Sequence, residues 1–327
     1  MRSPILFLVF NRPDTTARVF EAIKAAQPPR LYVAADGPRP GRDGEAALCA
    51  ETRRLATAVD WPCEVKTQFQ EQNLGCRLGP VSGLNWFFEH EEEGIILEDD
   101  VLPVETFFPY CDELLERYRD DERVGVIGGN NRVSWRFTPE ESYFFSRYLH
   151  VWGWASWRRV WRLYDMQMAG WPRWLEDGGL ERVSPGGRWF APHWRRIFDW
   201  GFYSDVDWWS YQLLLALWRA GMLVIMPSRN QIHNIGFGPD STHTQGRMPR
   251  YMVKSLPGPL PFPLRHPSAV AADPAVDRMI GREVYGISVR GRIRDRLNSV
   301  KVWARHLPWL GDRLKAAQIR LSGGRRR

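Results

Sequence analysis

Three observations predict an α/β fold, a mainly parallel sheet flanked by helices. Short continuous apolar runs at 5–10, 31–35 and 94–97 are separated by stretches of helical character. Each run stops at polar residues: Asn11-Arg12, Asp36-Gly37 and Glu98-Asp99-Asp100. The composition, 44% hydrophobic over 327 residues, supports one large core. Strands buried on both faces read as unbroken apolar runs, and ligands of such sheets bind beyond the strands' carboxyl ends.

The elements follow in order. Strand 5–10 leads through Asn11-Arg12-Pro13-Asp14 into a helix reaching about residue 26, with Asp14 as its expected N-cap. Strand 31–35 ends at Asp36-Gly37-Pro38. A helix is expected over 45–58 and a strand over 64–69. Asn73-Leu74-Gly75 then breaks the chain before a helix at 81–92. Strand 94–97 ends in the acidic triplet, and helix 104–119 and strand 124–127 follow. The second half is dense in tryptophan, from Trp152 to Trp218. It is followed by a proline-rich connector, 257–286, and a basic amphipathic tail, 287–327, read as helical. Residues 1–256 thus form the expected catalytic domain, with a ligand-binding half to 130 and a second half over 131–256.

Charge bounds the partners. The net charge is +7, but residues 287–327 carry 12 Lys/Arg and two acidic residues, leaving 33 basic against 36 acidic in the body. The charge of the body does not support nucleic-acid binding, which would need a basic stripe across the fold. The tail interleaves cations with Val300, Trp303, Leu307, Trp309 and Leu314, a pattern suited to an anionic membrane surface; a solvated basic end is the alternative. Run 4–10 is too short for a signal peptide or a membrane span, so the expected location is cytoplasmic, peripheral on the membrane if the tail binds it. Four cysteines without metal-ligand spacing read as reduced, mostly buried thiols.

The acidic triplet is the strongest chemical signal. Adjacent carboxylates repel, and a hard divalent cation is the usual reason to keep them together. Such a cation can bridge a diphosphate and neutralise a leaving group. A solvated charge cluster, as at 90–93, is the plain alternative. No G-x-x-x-x-G-K-[ST] and no G-x-G-x-x-G follows the first strand, so a nucleotide must be held in another way.

Taken in order, the strand followed by Asn11-Arg12-Pro13, Asp36-Gly37, Asn73-Leu74-Gly75-Cys76, Glu98-Asp99-Asp100, Trp152-Gly153-Trp154-Ala155, Asp207-Trp208-Trp209 and Asn234-Ile235-Gly236-Phe237-Gly238 resemble the GT-A glycosyltransferases. The likeness is to the inverting N-acetylglucosaminyltransferase I type and its bacterial relatives, over roughly residues 4–246. It implies a GT-A (Rossmann-like) sheet and a nucleoside-diphosphate sugar, UDP-linked, as donor. It further implies Mn²⁺ or Mg²⁺ as cofactor and a bacterial surface-glycan or lipid-linked acceptor.

By position, Arg12 and Asp36 would contact the base, with Asn11 and Gly37 beside them and Arg77 as a further contact. Glu98 and Asp99 would face the ribose and sugar hydroxyls, and Asp100, with Asp99, would hold the metal. Asp207 matches the general base, with Asp205 as fallback; alternatively, or in addition, it is an N-cap for a helix over 208–220. The loop 236–246 would close over the donor, where His243 could meet metal or phosphate or face solvent. His233 is assigned nothing. The tryptophans read mainly as core, with Trp154 and Trp208 as candidates for stacking on a sugar. Two other readings stay open: a sugar nucleotidyltransferase, and a catalytically silent membrane-tethered module for glycan assembly.

Overall fold

The computed structural model describes residues 1–237, 249–289 and 291. Its first half comprises β1 (Ile5–Val9), α1 (Pro13–Ala26), β2 (Arg30–Ala35), α2 (Glu45–Ala56), β3 (Glu64–Phe69), α3 (Gly75–His90), β4 (Glu93–Glu98), β5 (Val101–Pro103), α4 (Phe107–Arg117) and β6 (Val124–Gly128). Next come β7 (Tyr143–Ser146), β8 (Trp154–Trp157), α5 (Arg158–Trp161), α6 (Trp171–Glu176), α7 (Gly179–Arg182), α8 (Phe190–Tyr203) and α9 (Ser210–Arg219). The remainder is β9 (Leu223–Pro227), β10 (Ile232–Asn234), α10 (Arg250–Lys254) and α11 (Pro274–Glu283).

Eight strands form one sheet in the order β3-β2-β1-β4-β8-β6-β9-β7. β3, β2, β1 and β4 are parallel, and β9 is parallel to β6. β8 runs antiparallel between β4 and β6, and β7 closes the edge antiparallel to β9. The expected α/β class is observed, a mainly parallel sheet flanked by helices. Register decides where the chemistry gathers. Val9 pairs with Ala35, and Leu8 with Glu98, so β1, β2 and β4 release their polar successors at one edge. A small ribbon of β5 and β10 brings Asn234 opposite Val101, delivering the second half to the same edge.

Three local expectations are corrected. Asp14 is not the N-cap of α1: Arg12 holds that position without a side-chain cap bond, Pro13 starts the helix, and Asp14 contributes its charge to the first turn. α3 begins at Gly75, six residues before the expected start at 81, because Pro80 is accommodated inside the helix instead of preceding it. α9 begins at Ser210 with Trp209 as N-cap, so Asp207 does not cap it.

The second half is held by aromatic packing. Trp194 has no exposed surface and lies within ring-contact distance of Tyr148, Phe190, Phe198, Trp218 and Tyr285. Trp194→Ala is expected to cost about 3–5 kcal/mol, the usual scale for emptying such a site, read as a lowered midpoint in urea. Trp154 is equally buried, against β4 and β6, and cannot stack on a sugar.

Segment 257–286 is packed onto the body rather than acting as a spacer. Leu260, Leu264, Val276 and Ile280 join the core. The Ser142 N–H donates to the Arg265 carbonyl, and the Ser146 hydroxyl to the buried Asp277 carboxylate at 2.6 Å. The four cysteines are free; Cys49 and Cys111 are buried. No helix among the described residues is long and apolar enough to cross a membrane. The tail beyond 291 lies outside the described residues.

Candidate functional site

The carboxyl edge of the sheet opens into a cleft of about 530 Å³. Its wall includes Arg12, Asp36, Cys76, Glu98, Asp99, Asp100, Asp207 and Trp208, residues spread across nearly two hundred positions of sequence. The topology explains the convergence, since three strand ends, the start of α3 and the turn before α9 share this edge.

The triplet sits on the floor. The Phe10 N–H donates to Asp99 Oδ2 at 3.1 Å, so Asp99 clamps the end of β1. Arg12 Nη1 donates to Asp100 Oδ2 at 2.8 Å and lies 3.8 Å from Asp99 Oδ1. Burial first, then the like charge of Asp100, holds the Glu98 and Asp99 carboxyls well above the usual carboxylate range. The Ile235 N–H donates to the Asp100 carbonyl at 2.8 Å, and Gly236 covers the Asp100 side chain so closely that a Cβ there would lie 2.0 Å from Oδ2. The loop after Phe237, including His243, lies outside the described residues.

Asp36 is fully engaged by protein. Its Oδ1 accepts from the Gly37 and Leu74 N–H groups, each at 2.8 Å, and its Oδ2 from Asn73 Nδ2 and the Gly75 N–H. It therefore clasps the 73–75 turn and caps the entry to α3. Burial nonetheless pushes its carboxyl upward. Gly37 admits no side chain, because a Cβ would meet the Gln72 backbone at 2.5 Å.

Asp207 accepts the Arg77 N–H on Oδ1 at 3.0 Å, so it caps α3 from another part of the chain. Its Oδ2 makes no hydrogen bond among the described residues. The Arg77 guanidinium does not line the cleft. Its Nη1 reaches Asp205 Oδ1 and the Val206 carbonyl, and its Nη2 the Met166 carbonyl, bracing the turn that carries Asp207. Asn11 is likewise turned aside, donating to Glu45 at 3.0 Å. Cys76 lies between these acids; burial first, then Asp207, pushes its thiol up to about 11, so it is not a thiolate nucleophile.

Sequence reasoning missed Arg39, Trp152 and Ser210 as cleft residues. Arg39 carried a usable signal, standing three residues beyond the strand-end Asp36; Trp152 stood in a quoted motif without a role.

The donor set can be tested for a metal. Among the described residues no three acidic, histidine or cysteine side chains form a ready cage. Mg²⁺-like ions do not need one, since they are commonly held by one or two carboxylates together with substrate oxygens and water. Asp99 and Asp100 fit that pattern. Asp36, Glu98, Asp99, Asp100 and Asp207 line the cleft with Arg12 and Arg39; burial favours the neutral form of Glu98 and Asp99, and a bound cation would favour their ionised form.

No family model matches the chain, and no curated protein is similar to it in sequence. Among solved structures, the chain is similar to HddC from Yersinia pseudotuberculosis, with 7% identity, 48% of this chain and 78% of that one covered, and a TM-score of 0.29. It is similar to an apo UDP-glucose pyrophosphorylase, with 10% identity, 78% and 97% covered, and a TM-score of 0.38. For S. aureus TarS 1–349 the values are 10% identity, 71% and 59% covered, and a TM-score of 0.36. Likeness at this level carries no weight for function.

Proposed function

We propose that this chain is an inverting, metal-assisted glycosyltransferase. It would move a sugar from a nucleoside-diphosphate donor, a UDP sugar, to a hydroxyl of a bacterial surface-glycan or lipid-linked acceptor. The observation that carries this reading is the convergence of Arg12, Asp36, Glu98-Asp99-Asp100 and Asp207 on one cleft.

The base end of the donor lies between Arg12 and the wall that Asp36 fixes through the 73–75 turn. Asn11 and Gly37 act there as supports, through Glu45 and the Gln72 backbone. Glu98 and Asp99 accept hydrogen bonds from donor hydroxyls. Asp100, with Asp99, would hold a Mn²⁺ or Mg²⁺ ion, whose charge stabilises the leaving diphosphate. Asp207 Oδ2 takes the proton of the acceptor hydroxyl while that oxygen bonds to the anomeric carbon. The sugar–phosphate bond breaks on the opposite face, which inverts the centre and releases the nucleoside diphosphate. Oδ1 meanwhile keeps the Arg77 N–H, so the base does not turn as it works.

The test is a panel of nucleotide sugars with and without Mn²⁺, read by hydrolysis and by melting temperature. A UDP sugar at about a hundred times its Kd should stabilise the fold by about 2.7 kcal/mol, only with metal, and be slowly hydrolysed. Formation of UTP from a UDP sugar and pyrophosphate would make the chain a nucleotidyltransferase. Binding without hydrolysis or transfer would make it the silent module.

A further inference from the structure

α10 and the turn at 131–137 form a face that the cleft does not use. α10 is five residues long and buries none of them, and the chain just after it leaves Leu256 73% exposed, with Val253 in the helix 55% exposed. A surface helix normally gains its stability from an apolar stripe against the core, and this one has none. Its contacts are instead cation on ring. Lys254 Nζ stands 4.3 Å from the Trp135 ring centre, with the Arg136 guanidinium 4.5 Å from the same ring. The Arg132 guanidinium lies 4.2 Å from the Trp152 ring centre and 5.7 Å from that of Tyr251. Arg136 is paired with Glu283 at 3.3 Å, whereas exposed Arg250 and Lys254 have no acidic partner among the described residues; Arg132 lies deeper, its Nε buried.

We propose that this face docks the protein on an anionic bilayer surface. Exposed aliphatic side chains enter the acyl boundary, tryptophan and tyrosine sit at headgroup level, and lysine and arginine meet lipid phosphate. A protein partner fits less well, because protein interfaces concentrate apolar groups at their centre and are depleted of lysine, while here the cations lie on the rings themselves. Trp152 links the two regions: one part of it lines the cleft, and Arg132 packs on its ring. A docked molecule would hold the cleft mouth against the headgroup layer. Docking of this face does not depend on sugar transfer.

Full-length protein should float with phosphatidylglycerol–phosphatidylcholine vesicles and not with phosphatidylcholine alone, less so as salt rises. The Arg250→Glu and Val253→Glu/Leu256→Glu variants should each lower partitioning about thirtyfold or more, with melting temperature unchanged because these side chains are exposed. Backbone hydrogen exchange over 250–256 should slow on the anionic vesicles. Wild-type partitioning in both variants would overturn the proposal and assign binding to the basic end of the chain. It would also be overturned by wild-type protein that ignores both vesicle types. A third overturning result is protection of 250–256 before lipid is added, which would mean that a second copy or another part of the chain already covers the face.

Discussion

Asp207→Asn is expected to lower turnover by roughly 10²-fold or more while donor affinity stays near that of the wild type. Asparagine keeps an oxygen for the Arg77 N–H, so the turn and the start of α3 stay fixed. What is lost is the one atom able to take a proton, because an amide nitrogen cannot replace Oδ2 as base. Transfer rate measured alongside donor calorimetry separates the two effects. Turnover within a few-fold of wild type would remove Asp207 from the chemistry. Asp205 would be tested next, although its fully exposed carboxylate is already engaged by Arg77 at 3.2 Å.

Asp100→Ala is expected to abolish metal-dependent binding of the nucleotide diphosphate and to leave the fold intact. Stability should be unchanged or slightly raised, since Asp100 is the strongest like charge disfavouring ionised Glu98 and Asp99. Arg12 keeps a partner in Asp99 at 3.8 Å. Gly236→Ala reaches the same group from above. Its added carbon would lie 2.7 Å from both Asp100 Cβ and Cγ, so the side chain must move, and binding should weaken in parallel. Calorimetry of UDP with and without Mn²⁺ reads both variants. Unchanged metal-dependent binding in Asp100→Ala would show that the triplet is not the metal site.

The sequence made the first half of this fold readable because β1, β2 and β4 are buried on both faces and end in polar residues. Apolar runs followed by Asn11, Asp36 and Glu98 state both the strand and its edge. The start of α3 was not readable, because a proline normally marks a boundary and Pro80 here lies within a helix whose first turns are tied down by Asp36 and Asp207. β7 and β8, Tyr-Phe-Phe-Ser and Trp-Ala-Ser-Trp, are short, aromatic and buried on both faces, so they show no alternation to separate them from buried helix. Side-chain partners were the least legible part. Asn11 on Glu45, and the Arg77 guanidinium on Asp205, arise from tertiary approach, and no local spacing announces them. Residue types at the strand ends could be named from sequence; which way each one turns could not.

The carboxylates of the cleft are seated largely by main-chain hydrogens: Phe10 on Asp99, Gly37, Leu74 and Gly75 on Asp36, and Arg77 on Asp207. Every residue except proline offers such a hydrogen, whatever its side chain. Gly37 and Gly75 are constrained by crowding and by a φ of +81° respectively, and Arg77 also braces the Asp207 turn with its guanidinium, but positions 10 and 74 hold their acids without reference to the side chain they bear. Mutation can therefore rewrite much of the cleft's surroundings over long descent while its acidic groups keep their seats. A lineage built this way can drift beyond recognisable kinship in sequence and still preserve the same pocket.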